Sequence, residues 1–206
     1  MAAPPLTEFT LYEAVTELAQ RDPDLGAVVA RHGPPPLWAR EPGFPTLVLL
    51  ILEQQVSLAS ARAAYNRLEA ATGTVTPAGL LALSDDELRA AGFSRQKTGY
   101  ARALAQAILD GAFDPDGLAD LDDDGVRCEL TSLKGIGPWT AEIYLLMVLR
   151  RPDAWPAGDL ALAAAAQQVK GLAARPSPAE LVELAEAWRP WRAAAARILW
   201  HHYLSR

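Results

Sequence analysis

Cysteine occurs once in the 206 residues, at Cys128. A lone thiol excludes an intramolecular disulfide, a structural zinc site made of cysteines alone and a four-cysteine iron–sulfur cluster. Cys128 itself reads as a small buried or surface residue. Long apolar runs are also missing: one such as Leu47 to Leu52 falls far short of the roughly 20 residues that span a bilayer. The amino-terminal Met-Ala-Ala-Pro-Pro has no basic stretch followed by an apolar one, so no secretory signal is expected. An intracellular, reducing location follows as the expectation, in a bacterial cytoplasm or nucleoid or in a nucleus. Nor is there an excess of positive charge, because 19 Lys and Arg face 25 Asp and Glu. What is present excludes global disorder, since 50% of the residues are hydrophobic. The chain is long enough for one to two small domains with a real core.

The net charge of −6 is unevenly spread. Residues 1–124 hold nine basic and eighteen acidic side chains, a net of −9, whereas residues 125–206 hold ten and seven, a net of +3. Six of the eleven residues from Asp114 to Asp124 are aspartates, so one connector carries much of the acidity. A mildly basic second half permits a polyanion partner without predicting one.

Apolar spacing is helical nearly throughout, and no segment alternates in the two-residue period of a half-buried strand. The fold class is therefore all-α. Leu6, Phe9, Val15 and Leu18 give a first helix its apolar stripe, with Thr7 as cap. The Pro- and Gly-rich stretch from Arg31 to Pro45 reads as a loop. From Thr46 onward apolar residues dominate until the polar Glu53-Gln54-Gln55, which suits a buried helix ending at a surface or cleft. Thr76-Pro77 and Ser84-Asp-Asp-Glu87 are helix-start signals, the latter a capping box. Further helices are expected over about 95–109, 125–133 and 138–149, with the last starting near Pro190.

The most informative stretch is Leu130-Thr-Ser-Leu-Lys-Gly-Ile-Gly-Pro-Trp-Thr-Ala141. Gly135 and Gly137 flank Ile136 and allow a sharp turn through φ values that other residues resist. Pro138 then opens a helix whose first-turn N–H groups can bind an anion, phosphate above all. A plain helix–turn–helix connection is the competing reading.

This stretch resembles the helix–hairpin–helix (HhH-GPD) DNA glycosylases, specifically the 3-methyladenine DNA glycosylase II (AlkA/Mag) type. Four further blocks carry the likeness in the family's order: Ile51-Leu-Glu-Gln-Gln-Val-Ser57, Leu88-Arg-Ala-Ala-Gly-Phe-Ser-Arg-Gln-Lys97, Trp155-Pro-Ala-Gly-Asp-Leu160 and Trp188-Arg-Pro-Trp-Arg192. They cover roughly residues 45–203, and the extra β-rich amino-terminal domain of some members is not expected. The resemblance implies a two-lobed helical fold with a DNA-binding cleft. One lobe would combine residues 1–40 and 155–206; the other would be 41–154, with the hairpin motif at about 125–149.

The resemblance also implies roles. Asp159 matches the catalytic aspartate, whose carboxylate would stabilise an oxocarbenium-like sugar and can orient the attacking water; capping the helix that begins at Leu160 is its other reading. Asp153 is the rival carboxylate, set in what reads as a surface turn. Trp139 stands where members with lyase activity carry a Schiff-base lysine, so a monofunctional hydrolase is implied. Trp139 and Trp200 match pocket tryptophans whose faces attract cationic bases by ~0.5–2 kcal/mol, a core role being the alternative for each. Ile143 and His201 occupy pocket positions that are aromatic in some members, which points to a more open pocket. Trp188 and Trp191 are assigned to packing. Gln55 matches the wedge that fills the gap left by a flipped base, against a plain polar helix end for Gln54 and Gln55. Phe93 and Ser94 match a second insertion loop. Lys134, Gly135, Gly137 and Thr140 would bind phosphate, and the carbonyls of Thr131, Leu133 and Ile136 match a monovalent-cation site for Na⁺ or K⁺.

The implied activity is hydrolytic release of alkylated purines of the 3-methyladenine and 7-methylguanine type from double-stranded DNA, leaving an abasic site. No cofactor for the chemistry, no iron–sulfur cluster, no membrane partner and a monomeric state are expected. Two alternatives stay open: a non-catalytic hairpin DNA-binding module, which would bind DNA without releasing base, and a glycosylase for other damaged bases.

Overall fold

The computed structural model describes residues 4–205, which form helices and turns with no strand among the described residues. Met1–Ala3, on which the expectation of no secretory signal partly rests, and Arg206 lie outside them. Twelve α-helices follow in order: α1 (Glu8–Arg21), α2 (Pro23–His32), α3 (Phe44–Glu53), α4 (Leu58–Thr72), α5 (Pro77–Ala82), α6 (Asp85–Ala90), α7 (Arg95–Leu109), α8 (Asp123–Ser132), α9 (Pro138–Ile143), α10 (Leu160–Val169), α11 (Pro178–Ala185) and α12 (Arg192–Leu204). A π-turn over Tyr144–Val148 continues α9. Among the described residues no helix is long and apolar enough to cross a membrane.

The chain divides into two compact units, Met1–Ala39 with Glu142–Arg206, and Arg40–Ala141. The second crossing thus comes earlier than the expected 154–155. Backbone bonds explain this, because Leu6 N–H donates to the Arg150 carbonyl at 2.8 Å and Ala193 N–H to the Pro152 carbonyl at 3.0 Å. Those bonds tie the segment after the hairpin to both termini.

In the terminal unit α12 packs on α10, α2 and α1. Its residues from Ala193 to Trp200 are all buried, the alanines allowing close approach of neighbouring helices. The apolar stripe of α1 is Leu11, Ala14, Val15 and Leu18. Phe9 was expected on that stripe but is 69% exposed. It lies two residues ahead of Leu11, about 200° around the helix.

Asp22 links α1 to α2. Its carboxylate accepts the Asp24 and Leu25 N–H groups, the Trp188 indole N–H at 2.7 Å and the Lys170 ammonium at 3.0 Å. Burial alone would raise its pKa, but the Trp188 and Lys170 bonds outweigh that and hold it below the ordinary 3.8. The unfolded chain therefore binds this proton more readily. The contribution of Asp22 is complete above about pH 4 and is lost as pH falls through the lower folded value. Urea unfolding at pH 7 and pH 3 should show a smaller loss of stability on acidification for Asp22→Asn than for wild type. An identical acid loss in both proteins would remove Asp22 from the acid response.

The central unit is organised around α3, which packs on α4 and α7 and is buried at Phe44 and from Leu47 through Glu53. Ser84 and Glu87 form the expected capping box at α6, and Thr76 caps α5. Ser94 caps α7, its hydroxyl accepting the Lys97 N–H at 3.2 Å. Phe93, just before it, is only 3% exposed. The pair expected as a second insertion loop is therefore a core side chain and a helix cap.

Candidate active site and nucleic-acid interface

The loop that carries Asp159 is fixed from several directions within the terminal unit. Trp155 is buried edge-on to Trp188 with ring centroids 5.5 Å apart. The Trp155 N–H donates to Glu142 Oε2 at 2.9 Å, and the Asp159 N–H donates to the Pro156 carbonyl at 2.9 Å. Asp159 is the N-cap of α10, and its Oδ1 accepts the Leu162 N–H at 2.7 Å. The same oxygen accepts the indole N–H of Trp200 at 3.2 Å. The carboxylate is half-buried, at the positive end of a helix dipole, with an aromatic side chain bonded to it. Such a group keeps its place without reorganising when positive charge develops nearby. Asp153 is engaged differently: Arg192 Nε and Nη2 donate to it at 2.8 and 2.9 Å, and Arg189 completes the cluster. Two guanidiniums neutralise it as a structural ion pair.

Trp200 is 7% exposed, buried while its indole is bonded to Asp159. His201 is half-buried, its Nε2 3.0 Å from the His32 carbonyl, and its ring stands 6.4 Å from that of Trp38. Ile143 is 3% exposed and presents no surface to a ligand. It is a core residue, contrary to the pocket position the resemblance implied.

In the central unit the hairpin joins α8 to α9. The Ile136 N–H donates to the Leu133 carbonyl at 3.1 Å, and the Ala141 N–H to the Gly137 carbonyl at 3.1 Å. Only Gly135 takes a left-handed φ, +90°. A Cβ there would lie 2.1 Å from the Tyr100 ring, so ring and backbone stack where no other residue fits. Gly137 differs from the sequence expectation: its φ is not left-handed, and a Cβ would meet nothing within 4 Å. The space in front of Gly137 is open, and Lys134 beside it is exposed. Trp139 is half-buried on α9. Thr140 is only 2% exposed and its hydroxyl accepts a bond from Gln54, so that hydroxyl is not available to a phosphate.

The end of α3 was legible only as a polar tripeptide. Glu53 is buried and paired with Arg40 through bonds of 2.8 and 3.0 Å. The Lys97 ammonium donates to the Leu52 carbonyl at 2.7 Å, and burial pushes the Lys97 pKa down. Gln54 Nε2 donates to the Gly135 carbonyl at 2.9 Å and to Thr140 Oγ1 at 3.2 Å. Gln55 follows with φ +59° and an exposed side chain. These anchors join residues far apart in the chain, so no local pattern announces them.

A glycine-turned hairpin between two helices, followed about twenty residues on by an anchored N-cap carboxylate, defines a helix–hairpin–helix protein of the glycosylase architecture. Residues 48–190 match the HhH-GPD family, described as the HhH-GPD superfamily base excision DNA repair protein. The chain belongs to that superfamily. It is 30% identical over 165 residues to DNA-3-methyladenine glycosylase 1 of Schizosaccharomyces pombe, covering 78% of this chain and 72% of the relative. It is 36% identical over 202 residues to the probable bifunctional transcriptional activator/DNA repair enzyme AlkA of Mycobacterium tuberculosis, covering 91% of this chain. This chain spans 39% of that longer relative. The solved structure of the S. pombe 3-methyladenine DNA glycosylase Mag1 in complex with abasic DNA superposes with a TM-score of 0.86 at 28% identity, covering 91% of this chain and 95% of that one.

Proposed function

We propose that the chain is a monofunctional DNA glycosylase that hydrolyses the N-glycosidic bond of alkylated purines in duplex DNA and leaves an abasic site. The observation that carries this reading is the anchored Asp159 carboxylate, bonded to Leu162 N–H and the Trp200 indole while Asp153 is spent on arginines. Bond cleavage draws electrons onto the departing base and leaves positive charge on the deoxyribose. The fixed carboxylate stabilises that charge, and water supplies the nucleophile at the anomeric carbon. A base already cationic through alkylation leaves more readily, and the Trp200 indole bonded to Asp159 offers a face that attracts such a base. No amine occupies position 139, and Lys134 lies exposed on the hairpin, where a phosphate contact suits it.

Backbone N–H groups at the start of α9 and the open face of Gly137 receive a phosphate, and Gln55 enters the duplex where the base has left. The carbonyls of Thr131, Leu133 and Ile136 are neutral oxygens of the kind a monovalent cation takes. That of Leu133 already accepts the Ile136 N–H, which leaves its second lone pair for an ion. A bound cation would add positive charge toward the phosphate. The enzyme acts as a monomer on genomic DNA inside the cell.

Methylated duplex DNA should release 3-methyladenine and 7-methylguanine, and its strands should stay intact until alkali is added. Salt-sensitive DNA binding without base release would leave a binding module in which Asp159 only caps α10. Strand cleavage with borohydride-trappable protein would overturn the monofunctional assignment.

A further inference from the structure

The wedge residue proposed above sits on an unusual support. Gln55 leaves α3 in the left-handed region, φ +59°, without being glycine or asparagine. Such a backbone persists only where the surroundings over-determine it, and it is found disproportionately where position matters for function. Here the three residues before it are each held by a separate partner. Leu52 is bonded through its carbonyl to Lys97, Glu53 is clamped by Arg40, and Gln54 reaches the hairpin. The first two bonds are made within the helical core of the central unit. The third differs in kind, because it joins the end of α3 to the loop that faces the phosphate.

One amide spans both parts of that loop. Gln54 Nε2 holds the carbonyl of Gly135, the left-handed turn residue, and the hydroxyl of Thr140 in the first turn of α9. Gly135 is pressed against Tyr100 and Thr140 is buried, so neither acceptor can drift. The backbone that continues from Gln54 is the backbone that aims Gln55. A shift of the hairpin relative to α3 therefore pulls on the backbone that carries Gln55.

We infer that Gln54 is a positioning residue that locks the wedge Gln55 to the phosphate-gripping hairpin, so that backbone grip and base extrusion occur in one register. The inference rests on the reading of Gln55 as the wedge. Gln54 touches neither the base nor the sugar in this scheme. Its effect passes through Gln55.

A double-mutant cycle tests this. Gln54→Met keeps the length and bulk of the side chain and removes both donated bonds; Gln55→Ala removes the wedge. Two readouts are taken on full-length protein: single-turnover release of 7-methylguanine from duplex DNA, and fluorescence of a 2-aminopurine placed next to an abasic-site analogue, which responds to insertion without bond cleavage. With Gln55 present, Gln54→Met should slow release by about tenfold or more, the scale of loss that a misplacement near 1 Å brings. In the Gln55→Ala background the same change should cost less than about twofold. The fluorescence response should follow the same pattern, with thermal melting unchanged by Gln54→Met. Should that variant melt early, Thr140→Val, which removes one acceptor, takes its place in the cycle.

Equal losses in both backgrounds would overturn the proposal and give Gln54 a role in the hairpin alone. No fluorescence response from the wild-type protein would overturn it too, because Gln55 then does not insert. Absence of base release by any protein, with the fluorescence cycle intact, would sink the glycosylase reading and leave the positioning role standing.

Discussion

Asp159→Asn should lower single-turnover release of methylated purines by about 10²–10³, the loss of roughly 3–4 kcal/mol expected when a preorganised charge-stabilising group is removed. Asparagine is the informative replacement because it keeps the shape and an oxygen that can accept from Leu162 N–H and the Trp200 indole. Asparagine is also as good an N-cap as aspartate, so α10 should begin where it does now. Binding to abasic DNA should persist, because the variant only removes a negative charge that would repel a polyanion. Asp159→Ala makes the contrast. It loses the cap as well as the charge and should cost about 1 kcal/mol of stability in addition, visible as a lower urea midpoint. A matching catalytic loss in both variants, with only the alanine protein destabilised, separates the chemical role from the structural one. Undiminished release by the asparagine protein would sink Asp159 as the charge-stabilising group.

Local signals in the sequence located most of the helices, because capping is a short-range matter. Ser84 and Glu87 meet within one turn, α7 runs over the expected Arg95 to Leu109, and Asp159 caps a helix three residues from its partner. What the sequence hid is long-range or a matter of register. Phe9 looked like part of a stripe because apolar residues on either side of it share its character but not its face. Phe93 looked available in a loop, yet its ring is core and its backbone N–H bonds back to the Leu88 carbonyl. Gly137 looked like a second left-handed turn, and the turn is made by Gly135 alone. Asp159 and Trp200 were each legible as candidates, but the bond between them crosses 41 positions of chain. Gln54 reaches residues 81 and 86 positions away, beyond any local pattern. The helix expected to run on to about residue 149 instead widens into a π-turn, whose Leu146 carbonyl accepts from Arg197 some fifty residues downstream.

Replacement of Arg197 should be the most damaging change to stability in the terminal unit. Arg197 is wholly buried on α12 and donates to the carbonyls of Leu37 at 2.8 Å, Ala193 at 3.0 Å and Leu146 at 2.7 Å. Just after the π-turn the Arg151 N–H bonds to the Leu145 carbonyl, while the Arg197 guanidinium serves that of Leu146. Burial draws its pKa down to about 10, offset slightly by Glu8, so it remains charged near neutrality. Arg197→Met relieves the cost of burying a charge and fills much of the space. It also strips the Leu37 and Leu146 carbonyls of this donor, at about 1–3 kcal/mol each; Ala193 keeps the intrahelical partner that a helix provides. Because these acceptors are backbone and cannot be replaced along with the arginine, the compensation possible for a buried ion pair is closed here. A net loss of about 3–5 kcal/mol is expected from urea unfolding. Arg197→Lys should recover only part of it, since a single ammonium cannot match the fork that reaches three elements at once. A methionine variant within about 1 kcal/mol of wild type would show that the desolvation cost had cancelled the hydrogen bonds.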